Sequence, residues 1–296
     1  MSRPNIIFFF TDQQRPDTLG CYGQKLNISP NLDRLAKEGI VFDEAYTAQP
    51  VCGPCRALFQ TGKYPTETGC YRNAKALPAG VKTIAQYFEE NGYETAYVGK
   101  WHLASERIDF ETAPLADYET KAIPLEHRGG DDYKRSCHSA CLKVPLVIAG
   151  PGYSGGRRVK DLVSTASLPK TMLAMAGIYV GDQMIGENLK DVADGNTQGR
   201  INRIFAQISE SRVGRCIHTP KYLYSVYAPD KDGWKDKDSD YYEEDFLYDL
   251  EKDPYELHNL IYDKEYEDVR KQLAEELKEE MAKAGEKVPV ICSSSD

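Results

Sequence analysis

The chain is 296 residues long and has no run of 18 consecutive apolar residues, so it offers no segment suited to crossing a membrane as a helix. Its start, Met1-Ser2-Arg3-Pro4, lacks the basic and apolar regions of a secretory signal. As given, the chain reads as cytoplasmic, or as periplasmic if a leader has been lost. An excess of basic charge is also missing. Lys and Arg number 37 against 46 Asp and Glu, a net charge of −9, which argues against nucleic acid as the main partner. The eight cysteines, at 21, 52, 55, 70, 137, 141, 216 and 292, have no even spacing that would suggest a disulfide framework. Cys137, His138 and Cys141 lie close together, but no second Cys/His pair with suitable spacing completes a zinc site. No internal repeat or low-complexity tract is present.

What the chain does contain is globular, with 41% hydrophobic and 10% aromatic residues. The alternation of short apolar runs with amphipathic stretches predicts an α/β fold: a mixed, mostly parallel sheet flanked by helices, then a small C-terminal antiparallel sheet with a helix. The expected division is 1–200 for the α/β part and 201–296 for the C-terminal part. Residues 5–11 are wholly apolar, as in a buried parallel strand, and end at Asp12-Gln13. Ser29 caps an expected helix that runs from Pro30 and stops at Gly39. Further helices are expected over 83–92, 167–173 and 264–284. Strands are expected over 95–98, 144–148, 161–165, 203–209, 222–227 and 247–250. The turn between the strands at 203–209 and 222–227 falls at Thr219-Pro220, and 229–245 reads as an exposed, Tyr-rich loop.

Ligands in open α/β sheets gather beyond the carboxyl ends of strands. Two expected strands end in charged groups. One ends at Asp12-Gln13, which offers oxygens to a hard cation. The other ends in Gly99-Lys100-Trp101-His102-Leu103, where extended backbone would point Lys100 and His102 the same way. Between them lies Val51-Cys52-Gly53-Pro54-Cys55-Arg56, followed by an apolar helical run. Pro54 suits a first helical turn, and Arg56 lies one turn beyond Cys52. This places Cys52 where free backbone N–H groups and the helix dipole favour negative charge. Taken alone, the segment could be a buried cysteine pair, a Cys-Gly-Pro-Cys redox pair or an activated residue in an anion site. The residues before it, Ala45 to Pro50, make a poor strand ending for the redox reading.

The longer context decides. Cys52-x-Pro54-x-Arg56, then Ala57-Leu58, Thr61-Gly62 and Tyr64-Pro65, resembles the sulfatase signature. Ser29-Pro30-Asn31-Leu32-Asp33, Gly99 to Leu103, and Leu247-Tyr248-Asp249-Leu250 with Asp253-Pro254, Glu256 and Asn259-Leu260 are similar to further sulfatase strings. Lys134 stands eleven residues before Pro145, as a sulfatase lysine does before its own proline and strand. The resemblance covers roughly 5–103 and 133–285. It implies a formylglycine-dependent hydrolase of the alkaline-phosphatase-like superfamily. Cys52 would be oxidised to formylglycine by a formylglycine-generating or anaerobic maturation enzyme. Asp12, Gln13 and residue 52 would bind Ca2+ or Mg2+. Arg56, Lys100 and Lys134 would neutralise the sulfate oxygens, and His102 would hold or deprotonate the hydrated aldehyde. The implied substrate is a small sulfated sugar or aryl sulfate.

The central stretch of that family, with a second His and an Asp-His-Gly or Asp-Asn-Gly pair of metal ligands, has no counterpart in 104–133. Glu126-His127-Arg128-Gly129 is the nearest imitation, and Gly129-Gly130-Asp131 looks like a join. The alternatives are therefore an inactive shortened sulfatase, a phosphonate or phosphodiester hydrolase and, behind these, a redox protein.

Overall fold

The computed structural model describes residues 3–103 and 135–293. The first helix, α1 (Pro30–Glu38), ends at Gly39 and leads straight into strand β1 (Ile40–Tyr46). Ser29 precedes the helix but does not cap it. Its hydroxyl bonds the Asp33 carboxylate and accepts from Gly20 N, joining the helix start to the preceding turn. Helix α2 (Cys52–Thr61) follows, then α3 (Ile84–Glu90), which opens on a full capping box between Thr83 and Gln86. Strands β2 (Leu146–Ile148) and β3 (Arg157–Ser164) flank β1. The first pairs antiparallel and the second parallel, so this is a three-stranded mixed sheet. Helix α4 (Leu168–Met175) packs with α2 over the same core.

A second sheet runs β4 (Ile204–Ile208), β5 (Val213–His218), β6 (Tyr222–Ala228), β7 (Tyr241–Asp249), helix α5 (Glu267–Lys283) and β8 (Val290–Cys292). Its order is β4-β5-β6-β7-β8, antiparallel except for the last pair. Alternation along β4 shows how it is sandwiched. Phe205 faces α5 together with Ile217, Tyr224 and Leu277. Ile204, Ala206 and Ile208 face the other way, onto Tyr46 and Leu162 of the first sheet.

Several expected elements differ. The Thr219-Pro220 turn exists, but it joins β6 to β5, a strand the sequence reading left out. The strand expected over 247–250 begins earlier, at Tyr241, so 241–245 are strand rather than loop. The charges that suggested exposure are paired inside: Glu244 is buried, 2.6 Å from Arg270 and 3.1 Å from the Tyr224 hydroxyl. The strand expected over 144–148 forms as β2, but it is half-buried rather than buried and pairs antiparallel to β1.

Residues 5–10 and 95–98 are extended but pair with neither sheet among the described residues. The first still has the two faces of a strand. Phe8 and Phe10 stack at 5.0 Å and both meet Phe59 of α2 edge-on, at 5.1 and 5.4 Å. Ile7 and Phe9, on the opposite face, are 90% and 75% exposed.

Candidate active site

The Phe8–Phe10–Phe59 contact seats the first extended segment on α2 and brings Asp12 to the start of that helix. Cys52 is the first residue of α2, after Val51 in extended conformation. No side chain caps this end at the N-cap position. Instead the Gly53 N–H donates to Asn73 Oδ1 at 2.8 Å. A Cβ on Gly53 would lie 3.0 Å from Asn73 Oδ1 and 3.3 Å from the His102 carbonyl oxygen. Glycine lets both chain segments close on the helix start.

Two charged groups, Asp12 and Lys100, converge there. The Cys52 Sγ lies 3.9 Å from Asp12 Oδ1, and Lys100 Nζ lies 3.3 Å from Asp12 Oδ2. Arg56 is buried one turn along α2, with its guanidinium 4.8 Å over the Phe10 ring. It donates to the Lys100 carbonyl at 2.8 Å and to the Tyr97 hydroxyl at 3.2 Å, and that hydroxyl donates to the same carbonyl. Arg56 thus fixes the backbone that carries Lys100, rather than projecting its charge beside Cys52. His102 has a φ of 53°, in the left-handed region, which ends the extended alternation expected to align it with Lys100. Its carbonyl faces Gly53. The next residue, Leu103, is buried against Ala57 and Cys70.

The remaining expected residues separate. Gln13 is exposed and makes no hydrogen bond among the described residues. Lys134, Glu126 and His127 lie outside them. Among the described residues no three His, Cys, Asp or Glu side chains are grouped to hold a metal ion. A hard divalent cation takes about six to eight oxygens. Here one carboxylate stands beside Cys52, and an ammonium already occupies its second oxygen. The described donors therefore do not fit a Ca2+ or Mg2+ site. No disulfide joins Cys52 to Cys55. Burial pushes the Cys55 thiol up to about 11, despite a 3.6 Å contact with the Thr47 hydroxyl.

Sequence reasoning missed Asn73, Gln49 and Glu210. Gln49 Nε2 donates to the Tyr71 carbonyl and to the Ser209 hydroxyl, both at 2.8 Å. Asn73 N donates to Glu210 Oε1 at 2.7 Å. None belongs to a periodic pattern. Their partners are 20 to 160 positions away, so no local signal could mark them.

The sulfatase family profile matches residues 4–109. The profile of the C-terminal region of N-sulphoglucosamine sulphohydrolase matches residues 126–283, more than half of the chain. The chain belongs to the sulfatase family. It is 43% identical over 131 residues to an N-acetylglucosamine-6-O-sulfatase of Bacteroides thetaiotaomicron, a match covering 44% of this chain and 22% of that relative. It is 42% identical over 146 residues to an ulvan-active sulfatase of Formosa agariphila, covering 49% of this chain and 26% of the relative. This sulfatase thus spans only about a quarter of the length of the curated relatives it matches. The solved structure of BT4656 with its substrate D-glucosamine-2-N,6-O-disulfate aligns with a TM-score of 0.75 at 17% identity, over 96% of this chain and 98% of that one. A phosphonate monoester hydrolase of Agrobacterium radiobacter aligns at 0.71 and 16% identity, over 92% and 94%. At these identities the structural likeness concerns the fold, which is the mixed α/β sulfatase architecture.

Proposed function

We propose that this chain hydrolyses sulfate esters at a formylglycine made from Cys52 by a maturation enzyme, with a sulfated sugar as substrate. The observation that carries the reading is the convergence of Cys52, Asp12 and Lys100 at the start of α2. The sugar class rests on the acetylglucosamine and ulvan substrates in the relatives' names. Formylglycine supplies a hydrated aldehyde oxygen as nucleophile where a thiol would attack sulfur poorly. The other roles belong to the chain. The α2 N-terminus and the Lys100 ammonium attract the anionic group and hold it over residue 52. Asp12 accepts a proton or hydrogen bond from the group at residue 52. Arg56 keeps Lys100 within reach. His102 and Lys134 complete the proposed set, as base and as a third cation. With one carboxylate among the described donors, no step is assigned to Ca2+ or Mg2+.

A second reading, an inactive sulfatase, is favoured by that incomplete donor set. Co-expression with a formylglycine-generating enzyme separates the two. The peptide spanning residue 52 is analysed by mass spectrometry, and turnover is measured on an aryl sulfate and on N-acetylglucosamine-6-sulfate. Conversion with turnover, abolished in Cys52→Ala, is the expected result. Complete conversion without turnover on either substrate would leave the inactive reading in its place.

A further inference from the structure

Helix α2 starts without a side-chain cap at Val51, yet the residues around Cys52 are bonded from both sides. Upstream, Gln49 is buried and holds the Tyr71 carbonyl and the Ser209 hydroxyl. Nearby, Ala48 O accepts from Gln207 N at 2.8 Å. Downstream, Gly53 N donates to Asn73 Oδ1. Both sides therefore lead to the same two places, the 71–73 turn and the tip of the β4–β5 hairpin.

Glu210 sits at that tip, and its side chain is fully buried. Oε1 accepts from Asn73 N at 2.7 Å. Oε2 lies 2.8 Å from Arg135 Nη2, a contact held by charge because its alignment falls short of a hydrogen bond. The Glu210 N–H donates to the Gly233 carbonyl at 3.0 Å. A Cβ on Gly233 would come within 2.8 Å of Glu210 N and 2.9 Å of Arg212 N, so only glycine lets that loop close on the tip. Glu210 itself has a φ of 67°, a left-handed conformation at a hairpin tip where glycine or asparagine is the unstrained choice. A charged residue kept buried and strained at a tip, where an exposed polar residue would make the same turn, is held by what its side chain does.

We propose that Glu210 is a positioning residue for Cys52 and acts through Asn73. Its carboxylate fixes the Asn73 backbone. Asn73 Oδ1 then fixes the Gly53 N–H, next to Cys52 at the start of α2, and so sets the direction of the residue 52 side chain. Arg135 supplies the counter-charge that makes the buried carboxylate tolerable. The C-terminal sheet thereby reaches Gly53 through Asn73, in addition to its direct bonds to Ala48 and Gln49. The proposal deepens the sulfatase reading and rests on it only for the importance of residue 52.

The test reads the loop itself, in the unconverted thiol form and without substrate. Amide exchange at Gly53 is followed by NMR beside Ala206 and Leu223 in the C-terminal sheet. Alkylation of Cys52 by iodoacetamide is followed beside Cys21. In Glu210→Ala and Asn73→Ala the Gly53 amide should exchange about tenfold faster, the effect of losing one hydrogen bond, with Ala206 and Leu223 unchanged. Cys52 alkylation should change while Cys21 alkylation does not. Glu210→Gln and Asn73→Asp keep the acceptors and should restore Gly53 protection. Unchanged exchange at Gly53 would overturn the proposal. So would faster exchange at Gly53, Ala206 and Leu223 together, which would mark Glu210 as merely structural. Should Glu210→Ala fail to fold, Glu210→Asp decides in its place, because it keeps the charge facing Arg135 but draws the carboxylate back from Asn73 N; unchanged exchange at Gly53 in that variant would overturn the proposal. Turnover enters none of these readouts, so failure of the sulfatase reading stays distinguishable.

Discussion

Arg56 shows how a residue type foreseen from the sequence takes a different task in the fold. The signature places a charge one turn beyond Cys52, and the fold buries it. Its guanidinium bridges α2, the Phe10 ring and the backbone at Lys100. Lysine carries the same charge but cannot bond Lys100 O and Tyr97 while lying flat on a ring. Arg56→Lys should therefore lower unfolding free energy by about 1–3 kcal/mol, the penalty of a buried hydrogen bond left unmade. Urea denaturation measures it; a change within error would mean that the Lys100 segment is held by other contacts. Lys100 was legible from its place beyond an expected strand. Its partner Asp12 was singled out separately, as an expected metal ligand beyond another strand. That the two would meet each other depends on two segments 88 residues apart, and no local pattern encodes it.

At the scale of elements, β5 is the most informative strand. Every residue in it is buried, including Arg215 and His218. Its mixture of Gly, Arg, Cys and His hides a strand from pattern reading, because polar residues were taken to mean surface. Arg215 is instead neutralised by Glu286 at 2.9 Å. His218 lies against the Tyr46 ring, with its Nδ1 2.9 Å from Thr219 O and its Nε2 3.3 Å from the Ser139 hydroxyl. Burial, opposed in part by the Thr219 bond and aided by the Lys143 charge, drives its pKa down to about 4. The folded value is depressed, so the contribution to stability is present above the unfolded value near 6.5. It is lost as pH falls toward 4. Between those limits the unfolded chain takes up a proton that the folded one refuses. The expected loss from this group is about 3 kcal/mol. A His218→Gln variant should show a correspondingly flatter stability profile between pH 7 and pH 4. Parallel profiles would show that other groups carry the acid dependence.

For the whole molecule, the exposed half of the first extended segment matters most. Ile7 and Phe9 face outward from a backbone that pairs with neither sheet among the described residues. Unpaired extended segments with apolar faces invite association between copies. Phe9→Ser should leave unfolding free energy within about 0.5 kcal/mol, as exposed substitutions do, while reducing self-association in light scattering. Phe8→Ser, on the face packed against Phe59, should cost several times more by comparison. Equal costs for the two would mean that Phe9 is covered in solution. The fold class was legible because amphipathic helices at 30–38, 84–90 and 267–283 each bury one face and apolar runs mark strands such as 146–148. Strand β1 was not, because Asp43 and Glu44 interrupt its apolar residues, and neither was the first part of β7, 241–246, whose inward Glu244 finds partners only in α5 and β6.

The sequence alone determined the family. The strings around Cys52, Gly99 to Leu103 and Leu247 to Asn259 are local, and their residue order survives whatever the rest of the chain does. It also determined that a helix starts beside Cys52, because the Gly-Pro-x-Arg order suits a first helical turn. Only the tertiary structure decided what surrounds that start. Asp12 arrives because aromatic rings seat residues 5–10 on α2. Lys100 arrives because Arg56 holds its carbonyl. Asn73 and Glu210 arrive through a hairpin whose sequence carries no sign of them. A helix start can be written in a few consecutive residues. The groups that face it come from distant segments, and the free energy that places them is spread over the packing of both sheets.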